Sequence, residues 1–108
     1  MPPSIDINTL KKRLTDETTI LLDVRRRADY EATPRKIAGA AWQDPEKVDT
    51  WCGKLPTGKR PVVYCVKGGS VSQTVTDKLR GEGFDAVFLE GGLKAWIDSG
   101  HSVQDVRS

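Results

Sequence analysis

Two patterns of hydrophobic and polar positions alternate along the chain. Short apolar runs are separated by stretches where apolar residues recur every three or four positions. The first helical stretch follows Asp6, which reads as its N-cap, and Ile7, Leu10 and Leu14 share one face. "TILLDV", residues 19–24, is a short apolar run that predicts a buried strand. "RRRADYEA" predicts a short helix that Thr33-Pro34 ends. "IAGAAW", residues 37–42, reads as a small strand. Asp44-Pro45 supplies an N-cap followed by proline at the first helical position, and Val48, Trp51 and Cys52 fall on that helix's inner face. "LPTGKRP", residues 55–61, is a turn-rich connector.

"VVYCV", residues 62–66, is the second strong strand. From Ser70 to about Gly81, Val71, Val75 and Leu79 recur every four residues, which predicts a helix ended by Gly81 and Gly83. "AVFLE", residues 86–90, is the third strand. Gly91-Gly92 opens a last helix carrying Leu93, Trp96 and Ile97, closed by Gly100. Residues 101–108 read as a tail. Strands alternating with helices predict an α/β fold with a parallel sheet and helices on both faces. Ligands of such sheets bind beyond the carboxyl ends of the strands. Cys65 lies at one of those ends.

With 108 residues the chain suits a single domain over 1–108. Seventeen basic and fifteen acidic residues give a net charge of +2, too balanced for nucleic acid or membrane as the main partner. The Arg25-Arg26-Arg27 run, followed by Asp29 and Glu31, reads as a solvated helix face. No apolar stretch reaches membrane-spanning length, and "MPPSIDIN" lacks the basic and apolar regions of a secretory signal. Cys52 and Cys65 make no disulfide framework, so a reducing, cytoplasmic setting with free thiols is expected.

Between Cys65 and the following helix lies Val66-Lys67-Gly68-Gly69. Glycines let that backbone curl, and a curled loop feeding a helix N-terminus points several N–H groups into one concavity. A thiolate held there is stabilised, and Lys67 adds positive charge. The alternative is a buried core cysteine, a common fate for free Cys. Several thiol chemistries lack their residues. A Cys-x5-Arg oxyanion enzyme needs arginine where Val71 stands. A thioredoxin-like pair needs a second cysteine where Gly68 stands. A Cys-His hydrolase has only His101, in the tail, where a solvent-exposed bystander is the expectation. One histidine and two distant cysteines do not make a zinc site. Sulfur transfer needs one thiolate, an N–H cradle and no general base.

The chain resembles a single-domain rhodanese, a member of the thiosulfate sulfurtransferase-like family. "LLDVRRRADYE" is similar to the family's "DVR…EY/F" segment, "KIAGAAW" to its "HIPGA" segment, "VVYCVKGGSVSQ" to its active-site strand and loop, and "FLEGGLKAW" to its "L.GG…W" signature. The resemblance covers nearly the whole chain. It implies a central parallel sheet of about five short strands flanked by helices. It makes Cys65 the persulfide carrier and the N–H groups of Val66, Lys67, Gly68, Gly69 and Ser70 the loop holding its outer sulfur. It implies a sulfane-sulfur donor, thiosulfate or polysulfide, a thiophilic acceptor such as cyanide, a thiol or a protein cysteine, and no metal or organic cofactor.

Asp23 and Arg25 match the "DVR" pair. The resemblance implies that both sit near the carboxyl end of an adjacent strand and frame the pocket; Asp23 otherwise reads as a structural hydrogen-bond acceptor, and Arg25 either reaches the pocket mouth or pairs with a carboxylate. Many thiosulfate-using members of the family carry a cation late in the loop, where this chain has Ser70-Val71-Ser72. Anion recognition is then expected from Lys67, from the N–H groups, or from Arg35 and Lys36, since Lys36-Ile37-Ala38-Gly39 stands where the family has His-Ile-Pro-Gly. The loop length is that of sulfurtransferases and one residue short of their phosphatase relatives. Ser70 and Ser72 read as helix caps, or Ser70 as a pocket group. Cys52 reads as a core cysteine, with a second thiol that intercepts the persulfide as the alternative. A non-catalytic persulfide carrier, loaded by a protein partner, is the main alternative function.

Overall fold

A computed structural model describes residues 2–106. Five strands form one parallel sheet: β1 (Ser4–Ile5), β2 (Thr19–Asp23), β4 (Ala41–Trp42), β5 (Arg60–Tyr64) and β6 (Val87–Leu89). Their spatial order is β1-β6-β5-β2-β4, with β5 at the centre. The helices are α1 (Ile7–Arg13), α2 (Arg27–Ala32), α3 (Val48–Trp51), α4 (Ser70–Gly81) and α5 (Gly92–Asp98).

Side chains alternate across a strand, so a buried strand feeds two cores. Leu21, Val62, Tyr64, Val87 and Leu89 point to one face, where Leu10 of α1 and Leu93 and Trp96 of α5 cover them. Leu22, Val24 and Val63 point to the other, under Trp51 of α3 and Val75 and Leu79 of α4. Leu79 is fully buried, a contribution of about 1.5–3 kcal/mol. The predicted α/β sheet with helices on both faces is therefore the observed fold.

Several elements differ from the sequence reading. β5 stops at Tyr64, so Cys65 and Val66 belong to the loop. "IAGAAW" is not one strand: β3 (Arg35–Ile37) precedes a turn, with Gly39 at φ 88°, and β4 follows. The helix capped by Asp44 is short, with 3-10 turns at Pro45–Lys47 and Cys52–Lys54 on either side of α3. Most of the expected tail is built into the fold. β7 (Val103–Asp105) pairs antiparallel with β3, and His101 lies 4.8 Å from Trp96, ring centre to ring centre, instead of standing free in solvent. Residues 107–108 of that segment lie outside the described residues. No helix among the described residues is long and apolar enough to cross a membrane.

Candidate active site

β2 and β5 are neighbours, yet the chain leaves them in opposite directions, towards β4 and towards β6. That divergence opens a crevice at the carboxyl ends of the two strands. A cavity of 280 Å3 fills it. Arg25, Arg26 and Asp29 line it from the segment after β2, and Cys65, Val66, Lys67, Gly69, Ser70 and Val71 from the segment after β5.

Cys65 is 5 % exposed at the cavity floor. Its Sγ donates to Ser72 Oγ at 3.2 Å, and Ser72 Oγ donates to Gly69 O at 3.2 Å. The loop carbonyls of Cys65 and Val66 accept from Leu93 N and Lys94 N, both at 2.9 Å. In a trans peptide the next N–H points opposite to the carbonyl. The N–H groups of Val66 and Lys67 therefore face away from α5. None of the N–H groups from Val66 to Ser70 has a hydrogen-bond acceptor among the described residues. Gly68 does not line the cavity. Its φ is 73°, and a Cβ there would stand 2.8 Å from Gly91 N, so the loop and the Gly91-Gly92 turn approach closely at this glycine.

Asp23 and Arg25 form a buried pair at 2.7 Å, both side chains 0 % exposed. Arg25 also donates to Thr33 O and Arg35 O, each at 2.9 Å. The guanidinium thus ties the end of β2 to the end of α2 and the start of β3, while its edge lines the cavity. Removing either partner would leave a buried charge uncompensated, which destabilises strongly. Tyr64 pairs in register with Asp23, and its Oη accepts from Ile37 N at 3.1 Å. Burial and then the Asp23 charge hold that phenol far above its ordinary titration range, so it stays neutral.

α2 buries no residue of its own. A ladder holds it beside the cavity instead: Arg25 lies over Tyr30 at 5.1 Å, Tyr30 stacks on Trp42 at 4.9 Å, and Arg27 lies over Trp42 at 5.2 Å. Trp42 Nε1 completes it by donating to Arg25 O at 2.9 Å.

The structure gathers Arg25, Cys65, Val66, Lys67, Gly69 and Ser70 at one cavity. Asp23 lies beneath it, and Arg35 and Lys36 are elsewhere. The latter two sit on β3, paired with Asp105 and Gln104 of β7, and neither lines the cavity. The exposed cations that do line it are Arg26 and Lys67. Arg26, Asp29 and Ser72 were missed by the sequence reading. For Arg26 the signal was its place directly after a strand end. For Ser72 it was the spacing Ser72, Val75, Thr76, Leu79, which puts two hydroxyls in a buried helical stripe. Neither Ser70 nor Ser72 caps α4. Cys52 packs in the second core with Trp51 and Leu55, away from the cavity lining.

The chain matches the rhodanese-like domain over residues 6–99. A protein from Lactobacillus plantarum superposes with a TM-score of 0.82 at 29 % identity, over 94 % of this chain and 87 % of that one. A thiosulfate sulfurtransferase from Pseudomonas aeruginosa superposes with a TM-score of 0.85 at 28 % identity, over 100 % of this chain but only 20 % of that one. A rhodanese-related protein from Thermoplasma volcanium shares the fold, with a TM-score of 0.82 at 24 % identity over 94 % of this chain and 97 % of that one. No curated protein sequence matches. The match over residues 6–99, together with a parallel sheet that sets Cys65 at the carboxyl end of its central strand, means that the chain belongs to the family of rhodanese-like domains.

Proposed function

We propose that this domain is a sulfurtransferase that carries a sulfane sulfur on Cys65. The Cys65 thiolate attacks the outer sulfur of thiosulfate, the sulfur–sulfur bond of the donor breaks, and sulfite leaves with the electron pair. The persulfide then passes its outer sulfur to a thiophilic acceptor, such as cyanide or a thiol, and the Cys65 thiolate is regenerated. Polysulfide serves as donor in the same way. The observation that carries this reading is the thiol at the cavity floor, beside a loop whose N–H groups have no acceptor among the described residues. An anionic outer sulfur suits those groups. The chemistry asks for no general base, and the single histidine, His101, lines a different cavity with Leu14 and Trp96. A reducing compartment such as the cytoplasm would keep the thiol available.

A second cavity of 280 Å3 favours a second reading. It shares Arg25, Asp29 and Val66 with the first, and Ala32, Leu93 and Ile97 give it an apolar floor. Neither thiosulfate nor cyanide needs that space. In this reading the domain is a persulfide carrier loaded by a protein partner. Intact-protein mass spectrometry after incubation with thiosulfate decides between them. A gain of one sulfur atom, reversed by cyanide, supports the enzyme. No gain with thiosulfate, but rapid gain from a persulfidated protein, supports the carrier.

Lys67 is exposed at the rim. Lys67→Ala is expected to raise the apparent KM for thiosulfate about threefold with kcat nearly unchanged, the size of one screened surface charge. Steady-state thiocyanate formation checks this. An unchanged KM would mean that Lys67 points into solvent and takes no part in holding the donor.

A further inference from the structure

We propose that the hydroxyl of Ser72 is a hydrogen-bond switch for the Cys65 sulfur, accepting from the thiol and donating to the thiolate. The inference rests on Cys65 being the sulfur carrier, and it adds a residue of the first turn of α4 to the reacting group.

Ser72 is fully buried, and its Oγ stands 3.2 Å from Cys65 Sγ. A serine hydroxyl has one hydrogen to give and lone pairs to receive. In the resting thiol form the chain of donors runs from Sγ to Ser72 Oγ to Gly69 O. When the proton of Sγ is lost to solvent, that order becomes impossible, because the sulfur can only accept. Rotation of the Ser72 hydroxyl about its C–O bond then puts its hydrogen on the thiolate.

The rotation leaves little unsatisfied. Gly69 O also accepts from Gln73 N at 3.2 Å, so it keeps a partner after Ser72 turns away. The backbone of Ser72 is held separately, by Thr76 Oγ1 donating to Ser72 O at 2.7 Å. Once a persulfide forms, Sγ is a neutral divalent sulfur and a weak acceptor, and the charge sits on the outer sulfur. The hydroxyl then returns to Gly69 O. Ser72 thus stabilises the thiolate selectively, relative to both the thiol and the persulfide.

The charged groups facing Cys65 are Arg25, Arg26 and Asp29 from the segment after β2, and Lys67 from the loop. Arg25 is already paired with Asp23, and the first turn of α4 carries no acid. None of these side chains is hydrogen-bonded to Sγ among the described residues, whereas Ser72 is.

The two half-reactions respond differently. In loading, the thiolate is the nucleophile: Ser72 raises its population at neutral pH but tempers its reactivity once formed. In discharge, cyanide carbon bonds to the outer sulfur, the sulfur–sulfur bond breaks, and the pair returns to Sγ. There the thiolate is the leaving group, and Ser72 speeds its departure at every pH.

The test is Ser72→Ala, which removes one oxygen, with unfolding followed to show that the fold persists. Iodoacetamide alkylation of Cys65 is expected to slow about fivefold at neutral pH, roughly half of one hydrogen bond to a charged group because the thiolate that remains is more reactive, with its pH profile displaced upwards. On the high-pH plateau, sulfur loading from thiosulfate should be no slower than in the unaltered protein. Discharge of the persulfide by cyanide should be about fivefold slower throughout, since the leaving sulfur carries part of its charge in the transition state. Equal slowing of both half-reactions at all pH values, or no change in either, would overturn the proposal and leave Ser72 as a packing residue. Failure of the unaltered protein to load sulfur at all would instead overturn the carrier reading of Cys65. The alkylation profile would still decide the Ser72 contact.

Discussion

Cys65→Ala is expected to gain no sulfur from thiosulfate or polysulfide and to form no thiocyanate, while the protein stays folded. In the proposed transfer the effect on chemistry is total, because each half-reaction makes or breaks a bond at Sγ. The effect on stability is small. The side chain loses one sulfur atom and a weak hydrogen bond to Ser72 at 3.2 Å, on the order of 1 kcal/mol. Thermal unfolding beside intact-mass analysis separates the two. Cys52→Ala is the internal control. Cys52 is 6 % exposed in the second core, and among the described residues its side chain makes one weak hydrogen bond, of 3.8 Å to Asp49 O. It should cost some stability, through the loss of core packing, and no sulfur transfer. Sulfur gain by Cys65→Ala, or its loss in Cys52→Ala, would move the carrier role to Cys52.

The sheet was legible wherever one strand carried its own pattern. Val62-Val63-Tyr64 and Leu21-Leu22 are apolar on both faces because helices cover both, and that run is visible without a partner. β1 has two residues and no pattern to show. β3 and β7 are visible only as a pair, and their residues lie far apart in sequence, Arg35 against Asp105 and Ile37 against Val103. For this reason residues 101–108 read as a tail. The Cys65 loop could be read from the chain because its chemistry lies in the backbone: a strand end, two glycines and a helix start. Side-chain aim could not. Arg25, Arg26 and Arg27 are adjacent, yet one is buried on Asp23, one lines the cavity and one lies over Trp42. Arg35 and Lys36 were expected at the anion, but β3 runs with β7 rather than along the crevice. Arg35 serves the site through its carbonyl, which accepts from Arg25.

Gly92→Ala is the second change expected to be severe, although Gly92 does not line the Cys65 cavity. Its φ is 59°, a conformation that costs a residue with a Cβ roughly 1–3 kcal/mol. Space is the larger obstacle. A Cβ at Gly92 would stand 2.5 Å from Cys65 O, 2.7 Å from Val66 O and 2.8 Å from Gly68 N. All three are backbone atoms of the Cys65 loop, so no flexible side chain can yield. The same contact is what lets Leu93 N and Lys94 N reach the Cys65 and Val66 carbonyls at 2.9 Å. Restoring ordinary contact would push the loop off α5 by roughly 1 Å, a misplacement that costs a positioned reaction about a hundredfold. Loading of Cys65 from thiosulfate should fall by that order, and the melting temperature should fall with it. Gly53→Ala is the matched control, since an added Cβ there meets nothing within 4 Å and needs no positive φ. Wild-type loading by Gly92→Ala would mean that the loop keeps its shape without α5, and that the two adjacent glycines at 91 and 92 serve only the turn.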